Sequence, residues 1–246
     1  MSSRPIQTLW AHHHPPGGRY PLGVVPVPAP IEGRAFFPGG YGLLGVAPGQ
    51  PLPAMPVGGV MILGHDFHSE AGYLESFAAG GERETMPTWK NLLPLLREVP
   101  ISLERCFFTN LYMGLRQGTE TTGVFPGASD AAFVQHCQQF FLEQIKLQRP
   151  SLIVTLGMYV PPLLAAVAFD LTDWGTGRSI TIKHLDRVGP IRRNVHFAGL
   201  PEFAPTVIAL LHPSLRFGSL RHRHYRDRTG ASAELLLLQD GMAAAK

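Results

Sequence analysis

Three polar side chains stand where apolar segments of the sequence end, and their types suit acid–base and hydrogen-bond chemistry. Asp66 closely follows one apolar run, Asn110 lies within a second, and His212 directly follows a third. Each alone also has an ordinary structural use, because a carboxylate can cap a turn, an amide can bond a loop, and a histidine at a strand end is more often structural. Three such groups at three separate runs are a stronger indication of a functional site.

The apolar runs predict four buried β-strands with helices between them. The predicted strands are 60–64, 106–112, 151–157 and 206–211. The predicted helices are 88–97, 130–148, 158–168 and 231–245. Strands that alternate with helices and are mostly apolar are typical of a parallel sheet covered on both faces. We therefore expect an α/β fold, a three-layer α/β/α sandwich with a central, mainly parallel sheet of four strands, which binds ligands beyond the carboxyl ends of its strands.

Residues 1–56 differ in composition from the rest of the chain. They contain twelve prolines and nine glycines and show no hydrophobic periodicity. This composition predicts an irregular N-terminal arm that wraps over the body or is partly mobile. Residues 57–246 then form the domain that carries the site.

The charge is distributed unevenly along the sequence. The net charge is +3, yet residues 178–228 hold ten Lys and Arg against three Asp and Glu. Arg outnumbers Lys by 17 to 4, and forked guanidinium donors suit phosphate. An Arg-rich composition without a nucleic-acid partner explains that ratio equally well.

The cysteine content bounds the chemistry and the compartment. Two cysteines, Cys106 and Cys137, exclude a four-cysteine iron–sulfur cluster or zinc site and indicate reduced thiols. The N-terminal segment MSSRPIQTLWAHHHPPGG lacks the apolar stretch of a signal peptide. We expect a cytoplasmic protein, associated with the nucleoid if it is bacterial.

Five segments, in this order, resemble the uracil-DNA glycosylase superfamily. They are GHDFH (64–68), PTWKNLLPLL (87–96), FFTNLY (107–112), PSLIVTLG (150–157) and HPSL (212–215). The first is similar to the G-Q-D-P-Y-H motif of the best-known branch and the last to its H-P-S-P-L motif, while QIKLQRPSLIVTLG is similar to a segment of the iron–sulfur branch. The resemblance covers about residues 57–240, so it identifies residues 57–246 as a uracil-DNA glycosylase-like catalytic domain.

The resemblance implies a monofunctional DNA glycosylase, as in base-excision repair of DNA damage, that flips a base and hydrolyses its N-glycosidic bond to leave an abasic site. It implies no metal or organic cofactor. Asp66 falls on the carboxylate that assists water and stabilises the charged sugar, and His212 falls on the imidazole that stabilises the departing base. Asn110 falls on the amide that reads the base edge. Phe77 is the aromatic residue nearest to the position that stacks on the base, or else a core residue.

The resemblance also implies DNA, duplex or single-stranded, as the partner of an expected monomer. Ser214 lies beside Leu215, which falls at the tip of the loop that wedges into the helix where the base leaves. The basic stretch 216–228 follows at once. Arg216, Arg221 and Arg223 are predicted to hold flanking phosphates, and the alternative is a solvated loop.

Two positions depart from the family pattern and bear on the base that is excised. Phe67 stands where the family has Pro, and His68 stands where a Tyr rejects a 5-methyl group. Both are predicted to contact the base, so the pocket is expected to admit uracil or a bulkier pyrimidine, such as a modified cytosine in defence against phages. A catalytically weak DNA-binding protein on the same fold is an alternative. A nucleoside hydrolase is another, against which the basic stretch and Leu215 argue.

Overall fold

A five-stranded sheet forms the centre of the computed structural model. The model describes residues 4–47, 49–175 and 177–245 and, within them, all side chains except those of Arg4, Arg216 and Phe217. The strands of the described chain are β1 (Val24–Val25), β2 (Val60–Gly64), β3 (Cys106–Asn110), β4 (Leu115–Arg116), β5 (Leu152–Leu156), β6 (Ile191–Arg192), β7 (Thr206–Leu210), β8 (His224–Tyr225) and β9 (Arg228–Thr229). Its α-helices are α1 (Arg4–His12), α2 (Glu70–Ala78), α3 (Pro87–Arg97), α4 (Ala131–Gln148), α5 (Val160–Ala165), α6 (Ile182–Val188), α7 (Arg216–Ser219) and α8 (Gly230–Ala244).

The central sheet has the strand order β3–β2–β5–β7–β6. The first four of these strands run parallel and are the four that the sequence predicts. The expected number of four strands is wrong, because β6 adds a fifth at the edge, antiparallel to β7. Its ladder joins only Ile191 to Ile208 and Arg192 to Val207, which is too short to leave a hydrophobic pattern in the sequence.

Side chains alternate across the sheet and divide the core into two clusters. Met61, Phe107 and Ile153 share one register and pack with α4 and α5 on one face. Their neighbours at the next register pack with α3 and α8 on the other face. Helices therefore cover both faces, as in an α/β sandwich.

The N-terminal arm lies against this body and is not irregular throughout, because it contains α1 and β1. It contributes Phe37 to one core cluster and Phe36 to the other. Its backbone pairs with β3, since Phe37 N donates to Phe108 O at 2.9 Å and Phe108 N donates to Gly42 O at 2.8 Å. The arm thereby covers an edge of the sheet that would otherwise leave backbone groups unpaired.

The prediction that Arg223 binds a DNA phosphate is wrong. Its side chain is fully buried and donates from Nη2 to Ala209 O at 2.6 Å. Its Nη1 and Nε lie 2.9 Å from carboxylate oxygens of Asp186 and Glu234, as ion pairs whose atoms are not aligned as hydrogen bonds. Glu234 also accepts Leu211 N at 3.0 Å, so the pair anchors the end of β7 to α8.

Replacing Arg223 with Ala is expected to destabilise the fold strongly, because it leaves the buried Glu234 carboxylate without its cation. We expect a loss of about 3–5 kcal/mol in the free energy of unfolding, measured in urea. Arg228→Ala is the control, since Arg228 is exposed and its loss should change stability by no more than about 0.5 kcal/mol. Equal stability of the two variants would contradict a structural role for Arg223.

Candidate active site

A cavity of about 500 Å³ opens beyond the carboxyl ends of β2, β3, β5 and β7. Asp66, Asn110 and His212 all line it. Three residues separated by up to 146 positions in the sequence therefore meet at the carboxyl ends of the parallel strands. The cavity wall also includes four other predicted residues, namely Phe67, His68, Ser214 and Leu215.

Asp66 is a buried carboxylate held by cationic and imidazole donors. Arg116 donates to it with both sides of its guanidinium fork, from Nε to Oδ1 at 3.0 Å and from Nη2 to Oδ2 at 2.9 Å. His65 Nδ1 lies 2.7 Å from Oδ2. Burial opposes the charged form, but the hydrogen bonds from His65 and Arg116 outweigh it and lower the pKa of Asp66. The site therefore holds a permanent anion at neutral pH.

Arg116 is a functional residue that the sequence analysis misses. It lies in β4, which pairs with β1 of the arm, and is almost fully buried. Its remaining donors reach the carbonyl oxygens of Thr122, Gly123 and Val124. All of its hydrogen-bonding capacity is thus used inside the protein, and nothing in the segment GLRQG distinguishes it from a surface arginine.

His65 was also missed, although it lies inside the GHDFH segment. Its ring stacks on Tyr159, with 4.9 Å between centroids, and meets the edge of Tyr112 at 5.1 Å. These aromatic contacts and the bond to Asp66 fix the ring at the cavity wall.

His212 is a neutral imidazole whose tautomer is set by its own loop. The backbone N–H of Ser214 donates to Nδ1 at 3.3 Å, and Ser214 Oγ lies 2.8 Å from the same nitrogen. Nδ1 is therefore an acceptor, and the proton of the neutral ring is on Nε2. Burial lowers the pKa of His212 to about 4, against the opposing influence of Asp66. The loop thus prepares an uncharged N–H donor, and Ser214, predicted to contact DNA, supports it.

Asn110 ends β3 with its amide fixed between the arm and β2. Its Nδ2 donates to Phe37 O at 2.9 Å, the loop bond that is the ordinary use of a buried amide. Its Oδ1 lies so close to Gly64 that a Cβ there would collide with it. Gly64 is therefore the residue that lets the amide stand at the cavity wall.

The aromatic residues of the cavity agree only in part with those predicted. Phe77 does not line the cavity, because Tyr73 and Ser76 are the buried side of α2 while Phe77 is 46% exposed. Phe67, which was predicted to contact the base, lines the cavity, together with Phe36 and Tyr159, which were not predicted. Phe36 comes from the Pro/Gly-rich arm, where no pattern marks it as a site residue.

His68 and Glu82 add polar groups to the wall. His68 accepts Ser69 N at Nδ1, and burial lowers its pKa. Glu82 accepts Trp89 Nε1 at 3.0 Å and Phe36 N at 3.3 Å, both at Oε2. Its Oε1 accepts no hydrogen bond from the described residues. Burial raises the pKa of Glu82 to about 7, although these donors and Arg34 act against it.

Two of the residues predicted to meet DNA, Leu215 and Arg221, are exposed. Leu215 is 60% exposed on a single turn of 3₁₀-helix, Pro213–Leu215. Arg221 is exposed, with Nε 3.0 Å from His222 Nε2. The side chain of Arg216, the third predicted phosphate ligand, lies outside the described part of the structure.

No protein-family model matches the chain, and no curated protein matches its sequence. The helices of the described residues include none long and apolar enough to span a membrane. The assignment of an activity therefore rests on the sequence motifs and on the geometry of the cavity.

The raised pKa of Glu82 predicts a pH-dependent stability that Glu82→Gln removes. Its contribution to folding is complete below its unfolded value near 4.5 and is lost as pH rises through about 7. Glu82→Gln keeps the acceptor and stays uncharged, so it should match the wild type near pH 4 and exceed it at pH 8 by up to about 3 kcal/mol. Urea unfolding at both pH values tests this. Glu104→Gln, at an exposed position, should show no such gain, and a pH-independent difference for Glu82→Gln would contradict the prediction.

Proposed function

We propose that this protein is a monofunctional DNA glycosylase that hydrolyses the N-glycosidic bond of uracil or a related pyrimidine. The observation that carries the proposal is the convergence of Asp66, Asn110 and His212 on one cavity at the carboxyl edge of the sheet. These three residues come from separate segments, each of which resembles a different motif of the uracil-DNA glycosylase superfamily.

The electrostatics of the cavity suit the cleavage of a bond between a sugar and a base. As the C1′–N bond breaks, positive charge develops on the sugar and negative charge on the base. Asp66 supplies a fixed anion for the sugar, because its lowered pKa keeps it ionised. His212 supplies a neutral N–H for the base oxygen, because Ser214 holds its proton on Nε2. Preorganised groups of this kind stabilise developing charge without reorganisation.

The wall and the rim suit a flipped nucleotide. Asn110 offers an amide to the edge of the base, and Phe36 and Phe67 offer apolar ring surface beside it. The exposed Leu215 can fill the gap that the base leaves in the stack, as apolar wedges do in other proteins that distort DNA. A hydrolase of free nucleosides would need no such side chain, which is why we favour DNA.

A bulkier modified pyrimidine, such as a modified cytosine, is the second candidate substrate. The observation in its favour is that His68 and Glu82 both line the cavity and supply polar groups. Clash with a large side chain is a common means of rejecting a substituent, and His68 is smaller than the Tyr of the related motif. An excision assay on oligonucleotides with uracil, 5-substituted uracils, hypoxanthine and modified cytosines, followed by alkaline cleavage, distinguishes the two candidates.

Removing the carboxylate of Asp66 or the imidazole of His212 should slow the excision that this assay detects. We expect Asp66→Asn and His212→Asn each to lose about 10²–10³-fold in the single-turnover rate, the scale of losing one preorganised electrostatic group. Asp173→Asn and His196→Asn are matched controls at exposed positions and should keep the wild-type rate. Circular dichroism checks that all four variants fold. Full activity of Asp66→Asn, or DNA binding without any abasic product from the wild type, would overturn the proposal.

Binding to DNA should depend on salt through Arg221. Each phosphate contact contributes about 0.9 to the slope of log K against log salt on duplex DNA, so Arg221→Ala should reduce the slope by about that amount. Arg105→Ala is the control. Arg105 is exposed and directly precedes β3, so it lies at the amino-terminal ends of the strands, away from the cavity. An unchanged slope for Arg221→Ala would show that Arg221 does not bind phosphate.

A further inference from the structure

We propose that His65, rather than Asp66, takes the proton from the attacking water, with Asp66 as its orienting partner. The inference rests on the proposed function, because it assigns a step in the same cavity. It adds a catalytic residue that neither the motifs nor their spacing indicate.

The bonding of Asp66 makes it a poor proton acceptor. Its Oδ2 already accepts two hydrogen bonds, from Arg116 and His65, and its Oδ1 accepts a third. Charge-assisted donors of this kind stabilise the ionised form, which is why the pKa of Asp66 is low. A carboxylate so stabilised keeps its negative charge but gains little by binding a proton.

His65, in contrast, has a ring nitrogen that is free to accept a proton. Its Nδ1 is 2.7 Å from Asp66 Oδ2, and a carboxylate only accepts, so Nδ1 carries the hydrogen and Nε2 of the neutral ring keeps its lone pair. Nε2 makes no hydrogen bond with any described residue, and His65 lines the cavity. A carboxylate on one imidazole nitrogen and a reacting proton on the other is the arrangement of the histidine–aspartate pair in many hydrolases.

The step balances without any further reagent. The oxygen of water attacks C1′ as the C1′–N bond breaks, and the bonding pair leaves with the base, where His212 Nε2–H stabilises it. His65 Nε2 accepts a proton from the water, and the resulting imidazolium is stabilised by the anion of Asp66. The products are a free base, which takes up one proton, and an abasic sugar with a hydroxyl group at C1′. His65 returns to the neutral form by releasing its proton to the base or to solvent.

Several titratable and charged groups face His65, and they define the controls. They are Asp66 beside it, Arg116 on β4, Tyr112 after β3, Tyr159 before α5, and His212 after β7. Of these, Asp66 and His212 keep one protonation state near neutrality, since the pKa of each is lowered. Burial also raises the pKa of Glu82, another wall residue, to about 7, so Glu82 needs its own variant.

The test is the pH profile of single-turnover excision, on a substrate that the oligonucleotide panel has identified. The wild-type rate should rise with pH to a plateau, because only a neutral imidazole can accept the proton of the water. Glu82→Gln should show the same rise with pH, whatever its absolute rate. His65→Ala should lose about 10²–10⁴-fold, the range of general base catalysis, and should lose the rise with pH. Added imidazole should restore the rate of His65→Ala in proportion to its unprotonated fraction.

His65→Gln separates a base from a residue that only positions Asp66. The Gln amide can donate to Asp66 but cannot accept a proton, so we expect it to be as slow as His65→Ala without imidazole. A near wild-type rate for His65→Gln would overturn the inference and leave Asp66 as the base. A pH rise that survives in His65→Ala would also overturn it and assign the titration to another group. Failure of the proposed function would look different, because the wild type would then release no base from any oligonucleotide.

Discussion

The buried negative charge of Asp66 is the constraint on which the rest of the site depends. A carboxylate at the end of a buried parallel strand is costly unless cations and hydrogen bonds surround it. Arg116 provides that compensation with its fork, and its position depends on the pairing of β4 with β1. Because β1 belongs to the N-terminal arm, the arm helps to hold the charge at the centre of the cavity, although none of its described side chains donates to Asp66 itself.

The same arm shapes the other end of the cavity. Phe37 O fixes the amide of Asn110, and Phe36 N holds Glu82, so two consecutive backbone groups connect an amide and a carboxyl to one wall. An irregular segment can do this because its backbone groups are not consumed by a helix or an internal ladder. The Pro and Gly content that conceals its structure in the sequence is therefore compatible with a role in shaping the pocket.

The hydrophobic pattern was sufficient to predict where Asp66, Asn110 and His212 lie, because strand ends of a parallel sheet meet at one edge. It could not predict Arg116 or Glu82, whose partners lie 50 and 46 residues away. Arg223 shows the converse failure. Its basic neighbourhood resembles a phosphate-binding stretch, but only the packing of α6 and α8 shows that its charge is neutralised inside. Phe77 failed for a similar reason, since the rotation of α2 about its axis depends on tertiary contacts.

The local environments in the cavity hold its ionisable groups in different protonation states, so that each group has one function. Hydrogen bonds keep Asp66 charged, and burial keeps His212 neutral, although the two residues lie close enough to influence each other. Neither then needs to change its protonation during the bond cleavage, because one stabilises the sugar cation and the other stabilises the departing base. The attacking water must still lose a proton. The transfer of that proton requires a group at the cavity wall with a free lone pair. Nε2 of His65 satisfies this requirement because the same carboxylate that stabilises the sugar holds the hydrogen of the imidazole on the opposite nitrogen.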